Sequence, residues 1–71
     1  MDKKSMEFTV FMIHVLSEAW NCSYRDAYQK LNEARAIDDY MVPCYDVLHT
    51  LGEQYLTEDL TGYLEMRGVR V

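Results

Sequence analysis

Residues 37–52 read IDDYMVPCYDVLHTLG, and amphipathic segments of the chain lie on both sides of this stretch. It contains the only proline, Pro43, and ends at Gly52. Proline has no amide donor and disfavours helical geometry at the residue before it, so it suits the start of a new helix. Asp38 or Asp39 can cap a short turn ahead of it. The stretch therefore predicts a turn and then a short third helix that ends at Gly52.

Upstream of this stretch, two segments carry apolar residues at helical spacing. The first, about residues 6–20, has Ser5 as its expected N-cap. Its predicted core face consists of Phe8, Phe11, Met12, Val15, Leu16 and Ala19, widened by Ile13 and Trp20. Its predicted polar face consists of Glu7, His14, Ser17 and Glu18, with Val10 off the apolar stripe.

The second segment, about residues 24–35, follows a strong N-cap candidate, Ser23. Its apolar stripe is Tyr24, Ala27, Tyr28, Leu31 and Ala34. Asp26 and Lys30 have the spacing of a helical ion pair. Downstream, Thr57 is the expected cap of a fourth helix, whose apolar face is Leu60, Tyr63 and Leu64. Gly68 is placed to stop that helix, with Val69 available for a closing apolar contact.

These patterns predict an all-α fold, a small single-domain bundle of about four helices. The chain has 71 residues and 49% hydrophobic residues, which suits one small packed domain and not a disordered segment. We expect residues 1–5 to form a polar tail and residues 6–71 to form the helical domain.

The charge of the chain restricts its partners. Net charge is −5, and the seven basic residues are scattered along the sequence. Nucleic acids and anionic membranes both require clustered lysine and arginine, so we expect neither as a partner. An acidic surface suits a partner with a basic surface. The longest apolar run is only four residues, 10–13, and no signal-peptide cleavage site follows it, so we expect a cytoplasmic protein without a membrane span.

No spacing in the chain predicts a metal, cofactor or catalytic site. The candidate metal ligands are His14, Cys22, Cys44 and His49, but structural zinc sites usually begin with two close cysteines. Cys44 and His49 lie five apart on a short helix and do not face each other. We expect two reduced packing thiols, a surface pair of His14 with Glu18, and a protein that is not an enzyme.

The most suggestive cluster combines acids and tyrosines. The candidate partner-binding residues are Asp38, Asp39, Tyr40, Tyr45 and Asp46. Such a patch could receive a basic segment of another protein. The structural alternative is that these aspartates cap helix starts and the tyrosines are half-buried. Both roles are compatible, because helix caps are also exposed.

Several elements of the chain resemble a family of short uncharacterised bacterial proteins that is common in gut Firmicutes. The resemblance lies at residues 37–52 and Gly62 to Gly68. The resembling elements are FTVFMIHVLSEAW at 8–20, IDDY at 37–40, Pro43, YDVLHT at 45–50, Gly52, Glu58-Asp59 and Tyr63-Leu64. Trp20, Cys22 and Cys44 depart from the family's pattern, which argues against thiol chemistry. The family implies no established activity. Its members are often encoded beside other small proteins, some of which resemble ADP-ribosyltransferase toxins, and this implies a partner-binding or antitoxin-like role.

The leading functional hypothesis is a non-enzymatic protein-interaction module, antitoxin-like or regulating a neighbouring gene product. The broad apolar face of the first helix also makes the chain a candidate homodimer. The alternative is an acidic helix-turn-helix-like transcriptional regulator, with helix 3 as the recognition helix. That helix contains Asp46 and His49 but no lysine or arginine to contact DNA.

Overall fold

The computed structural model describes residues 2–71. In chain order its elements are α1 (Lys3–Ala19), α2 (Tyr24–Glu33), a π-helical turn (Ile37–Met41, here called the π-turn), α3 (Tyr45–Leu48) and α4 (Glu53–Met66). Every regular element within residues 2–71 is a helix, so the all-α prediction with about four helices is confirmed. No helix among these residues has the length and apolar character that crossing a membrane requires.

Helix α1 is the element against which the others pack. It contacts α2, the π-turn and α4. The buried residues form one core, drawn from every helix: Met12, Ile13, Leu16, Ala27, Leu31, Ala34, Ala36, Ile37, Met41, Leu48, Leu56, Leu60, Leu64 and Val69. Burial of these side chains supplies the main driving force for the fold.

The start of α1 differs from the prediction. Helix α1 begins at Lys3, because the side chain of Asp2 accepts a hydrogen bond of 2.8 Å from the amide of Ser5. Ser5, the expected cap, lies inside the helix and is buried. Lys3 to Ser5 therefore belong to the first helical turn, not to a polar tail, while Met1 lies outside the described residues.

The buried face of α1 is also rotated from the predicted one. Thr9 and Ser17 are buried beside the core residues, whereas Phe11 and Ala19 are exposed. Small hydroxyl side chains can lie in a helix contact when their oxygen bonds the helix backbone, and the Ser17 hydroxyl donates to the His14 carbonyl at 2.8 Å. A projection that counts only apolar residues misses such positions. Val10 is half-exposed, as its place off the stripe predicted.

Helix α2 confirms its predicted cap. The Ser23 hydroxyl accepts from the Asp26 amide at 3.0 Å, and Ala27, Leu31 and Ala34 are buried. The other two residues of the predicted stripe, Tyr24 and Tyr28, remain about half exposed at the helix edge.

Of the two ion pairs predicted on the helix surfaces, one forms and the other does not. Asp26 and Lys30 do not form the expected ion pair within residues 2–71, while the surface pair of His14 with Glu18 does form, at 2.9 Å. Side chains at this spacing on a helix surface are neighbours, but an exposed pair stabilises so little that spacing alone does not decide whether it forms.

The π-turn replaces the capped turn that the sequence predicted. The amide of Val42 donates to the Ile37 carbonyl, five residues back, at 3.0 Å. Val42 keeps helical geometry, at φ −73° and ψ −50°, although Pro43 follows it. The prediction that Pro43 moves Val42 out of the helical region is therefore wrong, because the wider turn accommodates the proline ring. The turn has no side-chain cap, so neither Asp38 nor Asp39 acts as one.

Helix α4 starts five residues earlier than predicted. Gly52 is its N-terminal boundary, with extended geometry at ψ 158°, and Thr57 lies inside the helix, where its hydroxyl donates to the Glu53 carbonyl. Leu56 is buried one turn before Leu60, and this contact extends the helix upstream.

The end of α4 was predicted correctly. Gly68 has φ 81°, and the amide of Val69 donates to the Leu64 carbonyl at 2.9 Å, as in a Schellman motif. Val69 is buried and so provides the closing apolar contact.

Candidate interaction surface

Two tyrosines and an aspartate join the π-turn to α4. Tyr40 projects from the π-turn, and its hydroxyl donates to Asp59 Oδ2 at 2.5 Å. Its ring stacks on Tyr63, with the centroids 4.8 Å apart and the planes within 5°. Asp59 and Tyr63 are four residues apart on α4, so they lie on the same face of that helix. We call Tyr40, Asp59 and Tyr63 the tyrosine cluster.

The cluster has a defined protonation state. The hydrogen bond to Asp59 raises the pKa of Tyr40 from 10.0 to about 12, with burial and the negative charge of Asp59 adding to the effect. These causes all favour the neutral phenol over the phenolate. Tyr40 therefore remains a hydrogen-bond donor at neutral pH.

Arg67 extends the cluster toward the end of α4. Its guanidinium carbon lies 4.9 Å from the Tyr63 ring centroid, over the ring. Its Nη2 atom also donates to the Tyr63 hydroxyl at 2.7 Å. Tyr63 therefore already binds a guanidinium through both its ring and its oxygen.

A shallow, wide-open groove lies on the same exposed face of α4. Its lining residues are Glu58, Asp59, Gly62, Tyr63, Glu65 and Met66. Three of them are acidic, and Met66 is 89% exposed. The groove thus combines carboxylates, an aromatic ring and a thioether, which are the groups that bind cationic side chains with apolar stems.

The structure divides the five predicted partner-binding residues between two regions. Tyr40 belongs to the tyrosine cluster. Tyr45 lies elsewhere, in edge-to-face contact with Phe8 at 5.7 Å and stacked on His49 at 4.5 Å. The tyrosines that the sequence grouped together therefore contact different helices, α4 in one case and α1 in the other.

The three predicted aspartates are exposed. Asp39 accepts a hydrogen bond from Arg35 Nε at 3.2 Å in an exposed ion pair. Asp38 lies beside it in the π-turn, and Asp46 lies on α3. All three carboxylates can therefore reach a partner without rearrangement of the core.

Sequence reasoning missed Asp59, Gly62 and Met66 as members of the candidate surface. The spacing of Glu58, Gly62, Glu65 and Met66 does place them on one helix face, which was the available signal. Tyr40 contacts α4 from the π-turn, and the sequence did not reveal how that turn packs.

Neither cysteine joins this surface. Cys22 and Cys44 are free, half-buried thiols that pack against the core. Within residues 2–71, no group of three or more histidine, cysteine or acidic side chains is arranged to hold a metal ion.

Comparison with known proteins gives the family of the chain. A family model described as "Protein of unknown function (DUF3791)" matches residues 7–67. The chain belongs to this family. The DUF3791 match runs from the first turns of α1 through the end of α4 and so includes the tyrosine cluster and all residues that line the groove. No curated protein and no solved structure matches the chain.

Proposed function

We propose that the chain is a non-enzymatic protein-interaction module that binds a basic segment of another protein. The resemblance in its sequence favours an antitoxin-like partner role, in which the module masks or regulates a neighbouring gene product. The observation that carries the proposal is the groove of α4, where acidic, aromatic and thioether side chains are open to solvent beside the tyrosine cluster.

The charges around the groove support a basic partner. Exposed Asp38 and Asp39 directly precede Tyr40 in the π-turn, and Glu58 and Glu65 line the groove itself. With a net charge of −5, the chain attracts basic surfaces over a distance of about a Debye length, roughly 8 Å at physiological salt. Tyrosine and methionine are enriched where proteins meet, and both are present here.

The helix-turn-helix alternative has less support. A recognition helix must reach into the major groove and contact bases and phosphates with polar or basic side chains. Helix α3 spans only Tyr45–Leu48 and contains Asp46 but no lysine or arginine. We therefore retain the protein-interaction module as the proposed function.

The test is a double substitution, Asp38→Asn with Asp39→Asn, measured against the purified protein partner by surface plasmon resonance. The change removes two exposed charges, and we expect binding to weaken roughly fivefold, mostly through the association rate. Because neither aspartate caps a helix, the only stability loss we expect is that of the exposed Arg35–Asp39 pair, about 0.5 kcal/mol.

The matched control is Glu7→Gln with Glu33→Gln, which removes two exposed charges from α1 and α2. We expect this control to change binding less than the aspartate pair does. If the double variant binds with unchanged affinity and unchanged salt dependence, residues 38 and 39 are only a structural part of the turn.

A further inference from the structure

We propose that α1 forms a two-fold symmetric contact with α1 of a second copy of the chain, and that the two helices run antiparallel. The contact uses the outward face of α1, on the opposite side of the helix from the core. It is separate from the groove of α4, so it does not depend on the proposed binding of a basic segment.

The outward face of α1 combines charged and apolar side chains. At 3.6 residues per turn, its members fall within about 100° of the helix surface. They are Lys3, Glu7, Val10, Phe11, His14 and Glu18, and all six are exposed. This face lies opposite the buried residues of α1, so the packing of the monomer leaves it free for a second copy.

The order of the charges on this face favours the antiparallel orientation. A two-fold axis through the midpoint between residues 10 and 11 brings Lys3 level with Glu18 of the second copy, and Glu7 level with His14 of the second copy. The first pair joins opposite charges, and in the second a carboxylate accepts from an imidazole N–H. A parallel pair would instead place Lys3 beside Lys3 of the second copy, and Glu18 beside its own counterpart.

The monomer leaves these groups available. Within residues 2–71, Lys3 and Glu7 form no ion pair, although they are four residues apart on one helix. Glu18 uses its Oε1 atom for His14 Nε2, at 2.9 Å, and keeps its second oxygen for a lysine. Antiparallel helices also place the positive N-terminus of each beside the negative C-terminus of the other, which adds to the attraction.

The apolar residues of this face lie closest to the two-fold axis. Val10 and Phe11 are 50% and 46% exposed, and the axis places each against its own counterpart. Tyr24 of α2 adjoins Val10, because its hydroxyl donates to the Val10 carbonyl at 3.0 Å, and Tyr28 lies one turn further along α2. The axis is perpendicular to the plane of the two α1 helices, so both copies of α2 lie on the same side of it. The half-exposed rings of Tyr24 and Tyr28 therefore enlarge the apolar part of the contact.

The test reverses the charges at the two ends of α1. Lys3→Glu places like charges at both ends of the antiparallel contact, and Glu18→Lys does the same. Each variant should weaken self-association about tenfold at low salt, measured by sedimentation equilibrium. Both changes agree with the helix dipole, so each monomer should remain folded, which circular dichroism checks.

Mixing the two variants distinguishes this contact from other arrangements. In a heterodimer of Lys3→Glu with Glu18→Lys, opposite charges meet again at both ends. The mixture should therefore form a heterodimer with an affinity within about twofold of the wild-type homodimer, identified by native mass spectrometry. The control is Glu65→Lys, an equal charge reversal at an exposed position of α4. It should leave self-association unchanged and should not restore association when mixed with Lys3→Glu.

A cysteine beside the axis tests the geometry independently of charge. In Phe11→Cys, the two substituted positions lie close enough for a disulfide, whereas in Val47→Cys, at an exposed position of α3, they do not. Mild oxidation should link position 11 of one copy to position 11 of the other, located by peptide mapping, and should not link position 47. A wild-type protein that stays monomeric at millimolar concentration would overturn the inference. So would a mixture of the charge variants that associates no better than each variant alone.

Discussion

Thr9 is a buried polar residue whose hydroxyl group lacks a hydrogen-bond partner in the core. It lies on the buried face of α1, only 5% exposed, and its hydroxyl oxygen has no hydrogen-bond partner within residues 2–71. Thr61 provides the contrast, because its hydroxyl accepts from Trp20 Nε1 at 2.9 Å and donates to the Thr57 carbonyl at 2.6 Å. A buried hydroxyl without a partner loses its hydration without compensation.

Thr9→Val therefore should stabilise the protein by about 1 kcal/mol, because a methyl group of similar size replaces the unpaired hydroxyl. Threonine and valine have similar helix propensities, so α1 itself should be unaffected. Thr61→Val is the control with the opposite sign, and should lower the free energy of unfolding by about 1 kcal/mol by leaving Trp20 unpaired. Urea unfolding measures both, and a less stable Thr9→Val would contradict this reading of the core.

At the scale of the helices, local sequence signals predicted some boundaries and failed at others. Ser23 caps α2 and Gly68 ends α4, since both signals act within a few residues. Ser5 and Thr57 offered equally good local signals but lie inside helices. Helix α1 extends upstream to Lys3 because Asp2 supplies a competing cap. Helix α4 extends upstream to Glu53 and so includes Leu56, whose burial stabilises the added turn.

The candidate surface was less predictable than the helices. The sequence singled out Asp38, Asp39 and Tyr40 as candidates, because acids and an aromatic residue in a short turn are a local pattern. The contacts of Tyr40 with Asp59 and Tyr63 span about twenty residues and depend on how the π-turn packs against α4. A π-helical turn has no simple sequence signature, so neither its geometry nor these contacts followed from the pattern of residues.

Tyr40→Phe tests how much the hydrogen bond between the π-turn and α4 stabilises the protein. The variant keeps the ring that stacks on Tyr63 and removes the hydrogen bond to Asp59, so we expect a loss of about 1 kcal/mol at neutral pH. The pKa of Tyr40 is raised from 10.0 to about 12 in the folded protein, so its stabilising effect is complete below about pH 10 and is lost as the pH rises toward about 12.

The measurement is the difference in free energy of unfolding between wild type and Tyr40→Phe as a function of pH. This difference should shrink between about pH 10 and about pH 12, while the five other tyrosines contribute equally to both proteins. A difference that stays constant over this range would mean that the Tyr40 hydroxyl does not stabilise the fold.

At the scale of the whole molecule, α1 carries apolar side chains that the core does not cover. Ile13 and Trp20 pack inward, but Met6, Val10 and Phe11 are 52%, 50% and 46% exposed. Tyr24 of α2 adjoins them through a hydrogen bond from its hydroxyl to the Val10 carbonyl. A small domain with this much exposed apolar surface gains stability by self-association.

We therefore expect a homodimer in solution, with α1 at the interface. Light scattering should give a mass approaching twice 8.4 kDa at high concentration. Val10→Asp should return the protein to a monomer, because it introduces a charge into an apolar contact. Val47→Asp makes the same change at an exposed valine of α3 and should leave the dimer intact. A mass near 8.4 kDa for the wild type at every concentration would refute the dimer.

The position of α1 has a consequence for how the protein is made. The ribosome synthesises α1 before its packing partners, and one of these, α4, begins more than thirty residues after α1 ends. The nascent chain therefore leaves part of the apolar face of α1 uncovered until α4 has been synthesised. Folding is therefore complete only after α4 has been synthesised, and a polypeptide that stalls before α4 presents part of an apolar helix face to cellular chaperones and proteases.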